Sequence, residues 1–374
     1  MGTIKMVDLY GQYEHIKSEI DEAIHHVIDS AAFIQGPAVS EFSKNLSSYL
    51  GGVNVTTCAN GTDALQIAMM ALDLKPGDEV ILPVHTYVAT AEVIALLNLT
   101  PVFVDVDAQT FNLDANLLED KITPMTRAIV PVHLYGQCAE METILKIASN
   151  HNLFVIEDAA QSLGAIYTLV SGQQKRAGTM GTIGTTSFFP SKNLGCFGDG
   201  GAIFTHDKIL AEKIRMIANH GQKVKYHHDV IGINSRLDTL QAAVLKVKLK
   251  YLDDYEQKRN EVAMFYDQHL DGIPEIKIPY RFKNSTHVFH QYTIKAERRD
   301  ELKSYLEQQG IPTMIYYPLP LHLQKAYRQS GLGEGSFPVT ERLSKTVLSL
   351  PIHTEMKLEE LKFICESIKR FYQS

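Results

Sequence analysis

Two stretches of this chain place reactive residue types where a fold can use them. In Leu153-Phe154-Val155-Ile156-Glu157-Asp158 a buried-strand pattern ends in acid, and Gln161 follows three residues later. The carboxyl ends of strands in an open parallel sheet face the ligand crevice, where an Asp can bind a metal, a ribose or a protonated ring nitrogen. A strand-end Asp also serves as a helix N-cap, so Asp158 alone leaves both readings open. In Thr185-Thr186-Ser187-Phe188-Phe189-Pro190-Ser191-Lys192-Asn193-Leu194-Gly195, hydroxyls and one lysine follow another strand, with Gly198-Asp199-Gly200-Gly201 close behind. Most lysines are solvated surface residues. One held between aromatic residues and a glycine turn has its amine pKa lowered by desolvation, as Schiff-base chemistry requires.

Cys58-Ala59-Asn60-Gly61-Thr62-Asp63-Ala64-Leu65 puts Gly61 and Thr62 at the entry to a helix running to about Leu72. Free amides at such a start suit a phosphate, and an ordinary Thr N-cap has the same sequence. Tyr87, in His85-Thr86-Tyr87, is a core aromatic or a platform under a planar ring. Gly198-x-Gly200-Gly201 lacks the dinucleotide spacing and precedes a strand. His220, His227 and His228 have no carboxylate or cysteine at ligand spacing, so no metal is expected.

These residues need a scaffold, and the hydrophobic pattern describes one. Apolar residues at 13, 16, 20, 23, 24, 27 and 28 follow the helical period, and Phe33 to Pro37 end that helix. Between about 55 and 205, β-rich runs at 79–82, 102–106, 128–133, 153–156, 185–189 and 202–205 alternate with helical patterns, which predicts an α/β domain with a mostly parallel sheet. A long helical run over 237–255 bridges two lobes. A strand near 291–295 and helices over 300–309 and 358–372 predict a smaller α+β unit, so the expected domains are 1–250 and 251–374.

The 374 residues suffice for two such units. A net charge of −7 without a basic block excludes nucleic acid as the expected partner. The start has no apolar leader pattern, and the apolar stretch 88–99 is interrupted by Glu92 and too short to span a bilayer. The cysteines Cys58, Cys138, Cys196 and Cys365 lack paired spacing, so reduced thiols, no membrane and a cytoplasmic address are expected.

Glu157-Asp158-Ala159-Ala160-Gln161-Ser162, Ser187 to Lys192, Gly198 to Gly201 and Asn234-Ser235-Arg236-Leu237-Asp238-Thr239-Leu240-Gln241-Ala242-Ala243, in this order, resemble the DegT/DnrJ/EryC1/StrS family of sugar-nucleotide aminotransferases. The resemblance implies a fold-type I, pyridoxal 5'-phosphate (PLP)-dependent transferase with the aspartate aminotransferase fold. It implies that Lys192 forms the Schiff base, Asp158 pairs with the pyridine nitrogen, Gln161 contacts the ring hydroxyl and Tyr87 stacks on the ring. Gly61, Thr62 and Ser187 would hold the phosphate, and Asn234 would reach it from the other subunit of a homodimer. Tyr135 to Ala139, His220 to Gln222, Tyr226 to His228 and Gly232 to Arg236 resemble the branch that aminates a UDP-linked 2-acetamido-2-deoxy-3-oxo-hexuronate for surface polysaccharides. That branch has His-Tyr-Pro where this chain has Tyr316-Tyr317-Pro318, and Arg281 to His290 has no clear counterpart there; both stretches are expected to touch the sugar.

The expected reaction is amino transfer from L-glutamate to the 3-keto group of a nucleotide-linked sugar, with Arg236 gripping a carboxylate or phosphate. A dTDP- or UDP-linked 3- or 4-keto-6-deoxyhexose is the alternative acceptor. Rival functions are a sugar dehydratase, which by resemblance would carry His in place of Lys192, a PLP- or sugar-binding protein without turnover, and an NAD-dependent dehydrogenase, for which the glycine fingerprint is missing.

Overall fold

The computed structural model describes residues 3–328 and 331–373. Its main sheet is built from β1 (Asn54–Cys58), β2 (Glu79–Pro83), β3 (Thr100–Val104), β4 (Thr126–Ile129), β5 (Phe154–Asp158), β8 (Ile183–Ser187) and β9 (Gly201–Thr205), while β6 (Ile166–Thr168) and β7 (Gln174–Arg176) form a hairpin beside it. The order across the sheet is β1-β9-β8-β5-β4-β2-β3. β3, β2, β4, β5 and β8 run parallel, and β9 alone is antiparallel to its neighbours β8 and β1. Two reversals make β1 parallel to β8, so the ends of β1, β5 and β8 share one edge. There Asp158 lies opposite Thr185, while Ser187 and Cys58 both lie opposite Gly201.

The central strands are apolar because both faces are covered: Val80, Ile81 and Leu82 are fully buried, and every residue of β9 is buried. Helices cover them with stripes at helical spacing, such as Met141, Ile144, Ile147 and Ala148 on Met141–Asn150. A second core gathers around β12 (Ile276–Lys277), β13 (Tyr292–Ala296) and β14 (Val347–Leu350) beneath the helices Arg299–Gln308 and Leu358–Gln373. Ile4 from the start of the chain joins it. β10 (Gln222–Val224) and β11 (His227–His228) make an exposed ribbon.

Several boundaries differ from the sequence reading. The strand expected over 128–133 stops at Ile129, because Pro131 has no N–H for the ladder; its carbonyl instead accepts Asp158 N at 2.9 Å. The N-terminal helix begins earlier, at Leu9, where Asp8 caps it by accepting Gly11 N at 2.9 Å, and it breaks at the buried Ile16 into Leu9–His15 and Lys17–Ser30. The run over 237–255 is the helix Thr239–Lys248, a 3-10 turn at Leu249–Tyr251 and the start of Leu252–Leu270. β1 and the β6–β7 hairpin were outside the expected strands; four of the five residues of β1 are only partly buried, so it lacks a core strand's apolar run.

Candidate active site

The shared edge of β1, β5 and β8 opens on a cavity of about 650 Å³. Gly61, Thr62, Tyr87, Asp158, Gln161, Ser187, Lys192, Tyr316 and Tyr317, all expected from the sequence, line it. Asn234 and Arg236 do not. They flank Ser235, which is fully buried and accepts the Ala59 amide at 3.0 Å, while Asn234 is exposed and Arg236 half-buried.

Lys192 sits in the turn after β8, its amide donating to Phe189 O at 2.8 Å. Burial lowers its amine from 10.5 to about 8, against the opposing pull of the Asp158 charge. Asp158 ends β5 with little solvent exposure; Thr90 Oγ1 donates to its Oδ2 at 3.0 Å and Ala160 N to its Oδ1 at 3.1 Å. It leads into a turn, so it is not a helix cap. One turn further on, Gln161 Oε1 accepts Tyr135 N at 2.8 Å and its Nε2 donates to Tyr317 OH at 3.2 Å.

Asn60, rather than Thr62, caps the helix Gly61–Ala71, its Oδ1 accepting Asp63 N at 2.8 Å. The first-turn amides of Gly61 and Thr62 have no intrahelical acceptor. A Cβ on Gly61 would come within 2.7 Å of Ser187 Cβ, so a glycine is needed for the helix start to seat on β8. Ser187 Oγ accepts Phe189 N at 3.2 Å and keeps its own proton to donate.

Aromatic residues close another wall. The rings of Tyr87 and Tyr317 are 6.2 Å apart, and Tyr135 OH donates to the Tyr316 carbonyl. Tyr135 has one hydroxyl proton, so His85 must be the donor in its 3.2 Å contact from Nε2 to Tyr135 OH. Burial lowers His85 to about 4 and keeps it neutral. On the far face of β5, buried Glu157 accepts His133 Nε2 at 2.9 Å and the amides of Gly178, Met180 and Gly181, which pins the strand next to Asp158.

Sequence reasoning missed Thr90 and Tyr135 as site residues, and reached His290 only as the end of the stretch 281–290 expected to touch the sugar. Thr90 left one signal, a hydroxyl among apolar neighbours on the buried helix Ala89–Leu96. Among the described residues no three His, Cys, Asp or Glu are grouped to hold a metal, and no helix is long and apolar enough to cross a membrane. All four cysteines are buried and free of disulfides.

A lysine amine near pKa 8 and an anchored carboxylate, lining one cavity with the helix-start amides of Gly61 and Thr62 and the Ser187 hydroxyl, suit an aromatic aldehyde phosphate. Sheet and site define a fold-type I PLP-dependent enzyme, a sugar-nucleotide aminotransferase. The chain belongs to the DegT/DnrJ/EryC1/StrS aminotransferase family, which it matches over residues 14–369. It is 47% identical over 365 residues, 98% of this chain and 99% of the other, to UDP-2-acetamido-2-deoxy-3-oxo-D-glucuronate aminotransferase of Pseudomonas aeruginosa. It is 46% identical over 372 residues, 99% of each chain, to a protein of Geobacillus stearothermophilus named pleiotropic regulatory protein. The crystal structure of S. venezuelae DesV in complex with a ketimine intermediate matches with a TM-score of 0.96 at 40% identity, covering 100% of both chains. The residues present fit PLP: the Gly61 cradle and Ser187 suit its phosphate, Asp158 its ring nitrogen and Lys192 its aldehyde.

Proposed function

We propose that this aminotransferase moves an amino group from L-glutamate to the 3-keto carbon of a UDP-linked 2-acetamido-2-deoxy-3-oxo-hexuronate, a precursor of surface polysaccharide. The observation that carries this reading is a cavity of about 650 Å³ around Lys192 and Asp158, within the roughly 300–1,000 Å³ of pockets that enclose a whole ligand. The 47% identity to the Pseudomonas aeruginosa enzyme supports the uronate. In this reading residues 1–250 form the cofactor-binding domain and 251–374 the smaller one.

Bound PLP supplies an electron sink for the charge left when a substrate C–H bond breaks. Lys192 Nζ would take the proton from the substrate carbon as general base and return it as general acid, and a pKa near the working pH serves both directions. Asp158, fixed by Thr90 and Ala160, would pair with the ring nitrogen and keep it protonated. Gln161 would contact the ring hydroxyl, Tyr87 would stack on the ring, and Gly61, Thr62 and Ser187 would hold the phosphate. Asn234 completes the phosphate site of a second subunit. Arg236 pairs with a carboxylate or phosphate of the sugar nucleotide, with Tyr316 and Tyr317 beside the sugar.

A substrate panel tests the reading. The pyridoxamine form is mixed with 3-keto and 4-keto sugar nucleotides, and return of the aldehyde absorbance is followed. The 3-keto-hexuronate should react fastest; equal or faster reaction of a 6-deoxy sugar contradicts the uronate. Shared sites are tested by co-refolding Lys192→Ala with Asn234→Ala, each inactive alone. Half of randomly paired dimers are mixed, each with one intact site, so activity should recover to roughly a quarter. No recovery in confirmed hybrids places both residues in one subunit's site.

A further inference from the structure

The chain delivers one more side chain to the cavity, through a backbone held at many points. Phe289 is a bulky residue at φ 45°, in the left-handed region, which persists only where the surroundings enforce it. Here they do. Val288 N donates to Gly136 O at 2.8 Å, and Gln291 N to Tyr135 O at 3.2 Å. The carbonyls of His287, Val288 and Phe289 accept Asn260 Nδ2 at 3.1 Å, Asn193 Nδ2 at 2.9 Å and Arg259 NH1 at 3.0 Å. A Cβ on Gly136 would lie 2.8 Å from Phe289 N and 2.9 Å from His290 N, so the two segments pack backbone to backbone.

The residue so placed is His290. It lines the cavity, is 6% exposed, and its Nδ1 is buried without a hydrogen-bond partner in the protein. Nδ1 is closed off from the cavity, so the ring nitrogen open to it is Nε2, which has no hydrogen bond in the protein either, and a strained backbone that presents this nitrogen to a ligand cavity points to the ligand as its partner. Burial holds the imidazole well below its ordinary pKa, and the charges of Lys192 and Arg259 push the same way, so it is neutral. A neutral imidazole offers one N–H and one lone pair, which suits a hydroxyl or keto oxygen, whereas the carboxylates of glutamate are better served by a cation.

We infer that His290 is a specificity-determining residue that hydrogen-bonds an uncharged oxygen of the sugar acceptor. This rests on the nucleotide-sugar reading above. The test compares the wild-type pyridoxamine form with His290→Leu and His290→Gln. Calorimetry measures binding of UDP-N-acetylglucosamine, whose C3 hydroxyl cannot receive an amino group. The glutamate and sugar half-reactions are then followed separately. His290→Leu should bind about tenfold more weakly, as loss of one buried hydrogen bond implies, and its sugar half-reaction should fall at least about tenfold further than its glutamate half-reaction. His290→Gln, which restores a donor and an acceptor, should recover most of the binding. Should His290→Leu fail to fold, His290→Asn, too short to reach, replaces it with the same expectation. Equal affinity in wild type and variant, or equal loss in both half-reactions, overturns the inference while leaving the reading of the reaction intact. No binding to the wild type overturns the nucleotide assignment and the inference with it.

Discussion

Lys192 and Lys248 both carry amines that burial lowers from 10.5 to about 8, yet their surroundings differ in every other respect. Lys248 ends the helix Thr239–Lys248, donates to Gly195 O at 2.6 Å and lies 5.7 Å from the centre of the Phe197 ring. It is not among the residues lining the cavity. Lys192, three residues before Gly195, lines the cavity near the Asp158 charge and has no side-chain hydrogen bond. A displaced pKa therefore does not mark a catalytic amine by itself. Access for a ligand, a free nitrogen and a carboxylate nearby distinguish the two, and Lys248 instead ties down the loop that carries Lys192.

Removing the carboxylate should have the largest effect on this contrast. Asp158→Asn should slow transamination at least ~100-fold, since a neutral partner no longer favours the protonated ring. In the apoprotein the rate of PLP capture should rise with pH toward about 8, because only the uncharged Lys192 amine is a nucleophile. Asp158→Asn should move that rise to lower pH, since the Asp158 charge raises the amine's pKa. Near-normal turnover, or an unmoved profile, removes Asp158 from these roles.

Lys248→Met tests the structural lysine and should act on stability more than on chemistry. Between pH 8 and 10.5 the unfolded chain keeps the Lys248 proton and the folded chain does not, so this group makes stability rise with pH across that window. The full difference is on the order of 3 kcal/mol. Wild type should therefore gain stability over this window relative to Lys248→Met, as read by denaturant unfolding of the apoproteins at each pH. Parallel curves contradict the buried-ammonium account.

How much could be read beforehand followed the range of the interactions. Asp158 and Lys192 were legible because a strand ending in acid and a lysine inside a glycine turn are local patterns, and the alternating elements around them called for a mostly parallel sheet. Thr90 was not, and His290 was visible only as the end of the stretch 281–290 expected to touch the sugar, since each matters through a partner or cavity that only the folded chain assembles. The early end of β4 is explained by Pro131, which was visible, but its carbonyl bond to Asp158 N was not. Asn60 displaced Thr62 as the helix cap because either side chain can take that role, and chain geometry decides.

The central claim is that Lys192, and not another buried lysine, bears the cofactor. It is tested most directly by borohydride reduction of the PLP-loaded protein, followed by proteolysis and mass mapping. The account predicts a pyridoxyl group on Lys192 alone. A group on Lys248 or any other lysine contradicts it.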